Sequence, residues 1–291
     1  GNFNTEALIS AAESLTVADM QTFMQALLSE NQLRIFAFGN YDKADLDNAV
    51  ALVKDALPDE RTSVNYNMRE FWQPQAEQTL VWQQDLTVAD VALIDVMVHP
   101  TPGFDTRAAG TVLRGHFRTV AFDKLRTEEQ LAYAVGGMAT SIGDYTGFAM
   151  FIQTPVKDVA AMQARFDEFK TQYEVALDAL TEEEFAKLKT SALVALKEAP
   201  KNMRDEVVPF ISDWYREKYD FDSELKLIAA VEKVTLEDVK AFYQQTMLND
   251  KAARISVQLR GTSFVEQPFA DIEGATKVED LAGFHESMKK Q

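Results

Sequence analysis

The chain has 291 residues, of which 46% are hydrophobic and 26% charged, the composition of a globular protein with enough apolar material for one or two domains. It has no cysteine, which excludes disulfides, thiol catalysis and thiolate metal sites. Its net charge of −17 argues against nucleic acid as a partner, because phosphates would be repelled, and leaves a weak preference for cationic peptides. No run of 18 apolar residues is present, and Gly1-Asn2-Phe3 reads as the start of a fragment without a secretory apolar region.

In chain order, Leu15 to Phe23 opens with Thr16 as a helix cap and Asp19 at the reciprocal position, followed by apolar residues at helical spacing. A short strand is expected at Leu33–Phe38, closed by Gly39-Asn40. Asp45 to Leu57 is an amphipathic helix stopped by Pro58, and the polar stretch from Asp59 to Gln78 reads as a linker. Thr79–Gln84 and Val91–Val98 have the pattern of strands, Phe104–Leu131 that of a long helix, and Tyr133 opens an extended stretch that leads through Gly136-Gly137 and Gly143 to a strand at Phe148–Gln153. After Pro155 the chain reads as helices: Asp158–Leu180, a second capped by Thr181 with Glu184, and a third from Asn202 to Tyr219 in which Pro209 predicts a kink or a start. Val234–Phe242 and Ala253–Leu259 close the chain as a helix and a strand. The order gives an α+β fold, a mainly antiparallel sheet with helices packed on one face.

The closing pair echoes the opening pair. Thr16 matches Thr235, Asp19 matches Asp238 and Phe23 matches Phe242, an offset of 219 residues (235 − 16). Two helix–strand units with matched caps imply domains of about 220 residues in tandem. The expected division is the end of one domain plus linker at 1–72 and a complete second domain at 73–291. An incomplete first domain would leave apolar surface to pack on its neighbour or on a second copy of the chain, as a homodimer.

Candidate chemistry is sparse. His99, His116 and His285 are isolated from one another, and Phe117-Arg118-Thr119-Val120 after His116 shows that the zinc motif H-x-x-E-H is missing, so no metal site is expected. No G-x-S-x-G is present, and Gly136-Gly137 lacks the continuation of a phosphate loop. The acidic runs Glu128-Glu129 and Glu182–Glu184 read as solvated helix faces. Arg126 and Tyr133 remain. An arginine can grip a peptide carbonyl or carboxylate with its planar fork, and a tyrosine hydroxyl can donate to a bound carbonyl or a developing oxyanion. The residues alone favour the plainer reading, an arginine at a helix end, facing the dipole, and a tyrosine packed in a sheet.

The segment Leu125-Arg126-Thr127-Glu128-Glu129-Gln130-Leu131-Ala132-Tyr133 resembles a signature of the insulinase/pitrilysin (M16) zinc metallopeptidase family, in its C-terminal, non-catalytic half. Phe151-Ile152-Gln153-Thr154, Leu180-Thr181-Glu182-Glu183-Glu184-Phe185, Tyr219-Asp220-Phe221-Asp222 and Val234–Tyr243 look like further landmarks of the same family's last domain, in the right order. The resemblance is closer to the long single-chain members than to the two-subunit processing peptidases. It implies four homologous domains in two halves that close on a peptide, with zinc in the N-terminal half only and this chain as the end of the third domain and the whole of the fourth. It implies that Arg126 and Tyr133 reach substrate at the zinc, and Ala132 stands where a glycine is common. It further implies, as partners, the N-terminal catalytic half and peptide substrates, and a periplasmic or secreted setting. A stand-alone non-catalytic subunit or peptide-binding module, paired with a separate zinc subunit, is the alternative.

Overall fold

The computed structural model describes residues 5–58, Thr62, 72–281, Gly283 and Phe284. The described residues fall into two compact units, one from Gly1–Glu70 with Pro200–Phe221 and one from Phe71–Ala199 with Asp222–Gln291. Most of the expected linker between Asp59 and Gln78 lies outside the described residues, as does His285.

The first unit holds α1 (Thr5–Ser14), α2 (Val17–Ser29), α3 (Lys43–Asp55) and α7 (Met203–Tyr215). Thr16 and Asp19 form the expected reciprocal cap of α2: Thr16 N–H and hydroxyl donate to Asp19 Oδ2 at 2.9 and 2.6 Å, and Asp19 N–H donates to Thr16 Oγ1 at 3.2 Å. Asp42 and Asp45 cap α3 in the same way. Among the described residues the strand expected at Leu33–Phe38 has no pairing partner. No β-ladder involves this segment among the described residues, and a strand exists only where a neighbour takes its N–H and C=O groups. Its side chains are held by α7 and the turn after it instead. Phe36 lies 5.8 Å from Trp214 and 6.0 Å from Phe221, Phe38 stacks on Phe210 at 5.6 Å, and Arg34 pairs with Glu217 at 3.0 Å and donates to the Tyr219 hydroxyl. Pro209 sits inside α7 rather than at its start.

The second unit is built on a six-stranded sheet of order β3-β4-β2-β5-β1-β6. The strands are β1 (Thr79–Asp85), β2 (Val91–Val98), β3 (Ala134–Ile142), β4 (Tyr145–Thr154), β5 (Ala253–Arg260) and β6 (Thr276–Lys277). β3–β4, β4–β2 and β2–β5 are antiparallel, while β1 runs parallel to β5 and to β6. β3 and β4 form a hairpin that turns at Gly143, whose φ of 58° suits glycine. Packed against the sheet are α4 (Phe104–Ala121), α5 (Val159–Asp178) and α9 (Leu236–Met247), with α6 (Glu182–Leu196) and α8 (Ser223–Lys233) against α4.

Alternation along the strands separates the two faces. On β2, Leu93, Asp95 and Met97 are buried, and with Val135, Phe148, Met150 and Ile152 they face a core of Leu113, Phe117, Phe166, Phe169, Tyr173 and Phe242. Gly137 is required where β3 crosses this core: a Cβ there would lie 2.4 Å from Phe117 Cδ1 and 2.7 Å from Phe148 Cε1. The opposite face is apolar and mostly half-buried. Cross-strand register aligns Gly136, Phe151, Ile94, Val257 and Trp82 in one row and Met138, Ala149, Val96 and Ile255 in the next; Ile94 and Met138 are exposed.

The capping box at Thr235 and Asp238 repeats that of Thr16 and Asp19, with bonds of 2.9, 2.6 and 3.1 Å and cap angles φ −107° and ψ 166° against −110° and 165°. Burial differs. Leu236, Val239, Phe242 and Tyr243 of α9 lie in the core, whereas α2 has no buried residue and its Phe23 is 59% exposed.

Candidate functional site

Arg126 and Tyr133 lie on the connection from α4 to β3, and this connection is not the long helix expected. The α-helix ends at Ala121 and continues as a π-helical turn, Phe122–Glu128. Such turns insert one residue into the helical ladder, and they concentrate at functional sites. Glu129 N–H donates to Lys124 O at 3.0 Å and Leu131 N–H to Leu125 O at 3.0 Å, so the turn is wound against its own carbonyls. Leu125 and Leu131 are buried in the core and fix the two ends. Between them Gln130 has φ 52°, a left-handed conformation in a residue other than glycine, and here the chain reverses toward the sheet. Tyr133 N–H donates to Gln153 O at 3.2 Å, at the β3 edge.

The two side chains are exposed. Tyr133 is 61% exposed, so it is not packed in the sheet. The Arg126 guanidinium carbon sits 4.8 Å above the Phe122 ring, one turn back, and this cation–π contact holds the side chain without using its N–H groups. Among the described residues neither the Arg126 guanidinium nor the Tyr133 hydroxyl has a hydrogen-bond partner.

Glu128 and Glu129 differ in a way the acidic run conceals. Glu128 pairs with Lys124 at 2.8 Å on the surface. Glu129 is not a solvated face residue. Arg165 on α5 clamps it with both arms of the fork: Nε donates to Oε2 at 2.8 Å and Nη2 to Oε1 at 2.6 Å. The Arg165 side chain is only 10% exposed, and its bond to Glu129 holds that carboxyl below the usual carboxylate range. The pairing joins residues far apart in the chain, and no local pattern signals it.

A second buried polar group ties α5 to the sheet. Asp95, 1% exposed, accepts from Arg254 Nε and Nη2 at 2.7 Å each and from Gln163 Nε2 at 3.3 Å, with Lys170 Nζ at 3.7 Å. Its position between Leu93 and Met97, two core residues of the same strand face, was the available signal of a buried carboxylate.

The two described histidines do not fit zinc. His116 Nδ1 is 2.7 Å from the hydroxyl of buried Tyr173, and burial lowers the pKa of its ring. His99 stacks on Phe242 at 5.4 Å, its Nδ1 receives Thr101 N–H at 3.0 Å, and burial lowers its pKa also. Among the described residues no three histidine, aspartate or glutamate side chains gather as a metal would need.

Residues 112–211 match the family described as PQQ synthase PqqF-like, C-terminal lobe domain 4. Over 278 residues the chain is 24% identical to Protease 3 of Escherichia coli strain K12, a match that takes in 94% of this chain. These matches make the chain similar to peptidases of the insulinase/pitrilysin (M16) family. Human insulin-degrading enzyme is 22% identical over 263 residues, 87% of this chain. The M16 fold is seen directly in the crystal structure of pitrilysin, which superposes with a TM-score of 0.84 over 98% of this chain at 21% identity. The chain spans 28% of Protease 3, 25% of insulin-degrading enzyme and 30% of the pitrilysin chain. Within this M16 frame it carries a C-terminal domain of the peptidase family. Among the described residues no helix is long and apolar enough to cross a membrane.

Proposed function

We propose that this chain is the substrate-contacting, chamber-forming C-terminal portion of a zinc-dependent peptidase that degrades peptides and small proteins. The zinc belongs to an N-terminal half of the same longer protein. Residues 1–72 are then the end of the third peptidase-like domain and its linker, and 73–291 the fourth. The observation that carries the reading is the pair Arg126 and Tyr133: two exposed side chains whose donor groups have no hydrogen-bond partner among the described residues, on a rigidly wound turn, in a domain whose described histidines do not fit a metal. Side-chain donors left unused on a rigid element suit a bound peptide backbone, because the fold supplies no competing acceptor. The exposed Ile94 and Met138 on the outer apolar face of the sheet are consistent with a wall against which an extended peptide lies. The matched caps at Thr16 and Thr235 support tandem homologous domains. A periplasmic or secreted setting belongs to the same reading.

The test compares the isolated chain with the full-length protein. The isolated chain should contain no stoichiometric zinc by elemental analysis and should cleave no peptide. The full-length protein should cleave an internally quenched peptide, lose that activity to a chelator, and lose it when this portion is deleted. Stoichiometric zinc in the isolated chain, or peptide cleavage by it that a chelator blocks, contradicts the reading.

A further inference from the structure

We propose that Arg165 and Glu129 are positioning residues, a clamp that sets the placement of Arg126 and Tyr133 from the neighbouring helix α5. The inference rests on the functional reading above and adds to it the pair that makes the site rigid. Glu129 stands between Arg126 and Tyr133 in the chain and ends the π-helical turn. Its carboxylate meets the guanidinium through two parallel bonds of 2.8 and 2.6 Å. A two-armed contact fixes orientation as well as distance, which one lysine ammonium could not do. The guanidinium is itself anchored. Its Nη2 also donates to Gln172 Oε1 at 3.0 Å, and its carbon lies 5.8 Å from the ring centre of Phe169, a core residue.

The turn needs such an anchor. A π-helical turn followed directly by a left-handed glutamine is a sparsely populated backbone path, and these persist only where the surroundings over-determine them. Leu125 and Leu131 pin the apolar side of the turn in the core. Among the described residues the polar side, which carries Arg126, has one strong tie to another element, and that tie is Glu129 to Arg165. An ordinary surface ion pair contributes little. This one is bidentate, and its arginine is 10% exposed.

The experiment uses four variants, Arg165→Ala, Arg165→Lys, Glu129→Gln and the exchange Glu129→Arg with Arg165→Glu, beside Arg126→Ala and Tyr133→Phe. Two readouts are taken: amide hydrogen exchange in the isolated chain, and kcat and KM of the full-length protein on an internally quenched peptide. Arg165→Ala should speed exchange at the Glu129 and Leu131 amides about 10-fold while core amides of β4 stay unchanged. It should lower kcat/KM about 10- to 100-fold, mostly through kcat, because a misplaced donor still allows binding but fails in the transition state. Arg165→Lys should recover only part of the loss, and the charge exchange more than either single change.

If Arg126→Ala and Tyr133→Phe depress kcat while Arg165→Ala and Glu129→Gln leave kcat/KM within about twofold, the clamp is overturned and the site reading stands. If Arg126→Ala and Tyr133→Phe change nothing, both fall. If Arg165→Ala speeds exchange evenly throughout the core, the pair is structural only and the inference is overturned.

Discussion

The sharpest contrast in the molecule is between Phe23 and Phe242, each at the same distance from the cap in two helices with matching capping boxes. Phe242 is 2% exposed, lies face to face with the His99 ring, and its Cζ would be 3.2 Å from a Cβ on Gly110. Phe23 is 59% exposed. A buried phenylalanine removes on the order of 200 Å² from water, and at about 25 cal/mol per Å² this amounts to roughly 5 kcal/mol, of which alanine retains a small part. Gly110 on α4 and the buried His99 ring line the space left behind, so it collapses little. Phe242→Ala should therefore cost about 3–5 kcal/mol, and Phe23→Ala in this chain about 0.5 kcal/mol or less. Urea unfolding followed by circular dichroism reads the difference as a shift in midpoint at constant slope, and a thermal melt reads it as roughly 6–20 °C for Phe242→Ala. Equal losses at the two positions would refute the reasoning, because matched sequence would then be setting stability irrespective of packing.

The Asp95 network should be intolerant of losing one partner. Asp95→Asn leaves the part-buried Arg254 guanidinium only the half-exposed Asp167 at 3.6 Å as a counter-charge, a loss of about 3 kcal/mol in a urea melt, and a loss under 1 kcal/mol would contradict the account. Stability should also fall in mild acid. Burial puts the folded pKa of His99 and of His116 below the ordinary 6.5, so an unfolded chain binds protons first: their contribution is complete above about pH 6.5 and is lost as pH drops through the folded values. Melts at pH 7, 6 and 5 should show a declining midpoint that flattens in the double variant His99→Gln with His116→Gln; an unchanged decline in that variant assigns it to other groups.

Local rules were legible in the sequence and long-range ones were not. The reciprocal caps of Thr16, Thr181 and Thr235 follow from a hydroxyl and a carboxylate spaced to meet the first free amides, and each forms as the spacing predicts. The strands β1, β2 and β4 follow from their apolar patterning. Leu33–Phe38 has similar patterning and finds no strand partner among the described residues, because pairing is a property of neighbours that a segment does not encode. Helical periodicity ran on through Leu125 to Leu131 and so hid the π-helical turn, where one inserted residue changes the register without changing which residues are apolar. Arg126 and Tyr133 were nameable from a signature. Their exposure and lack of partners were not, and Glu129 looked like its neighbour Glu128 until Arg165 was seen against it.

The central claim is that Arg126 and Tyr133 serve a bound peptide rather than the fold. Steady-state kinetics of Arg126→Ala and Tyr133→Phe in the full-length protein, with thermal melts on the same samples, test it directly. Losing one preorganised donor should cost about 10²–10³ in kcat while the melting temperature moves by no more than a degree or two, since neither exposed side chain fills a core. Near-normal turnover, or a fall in melting temperature that accounts for the lost activity, would contradict it.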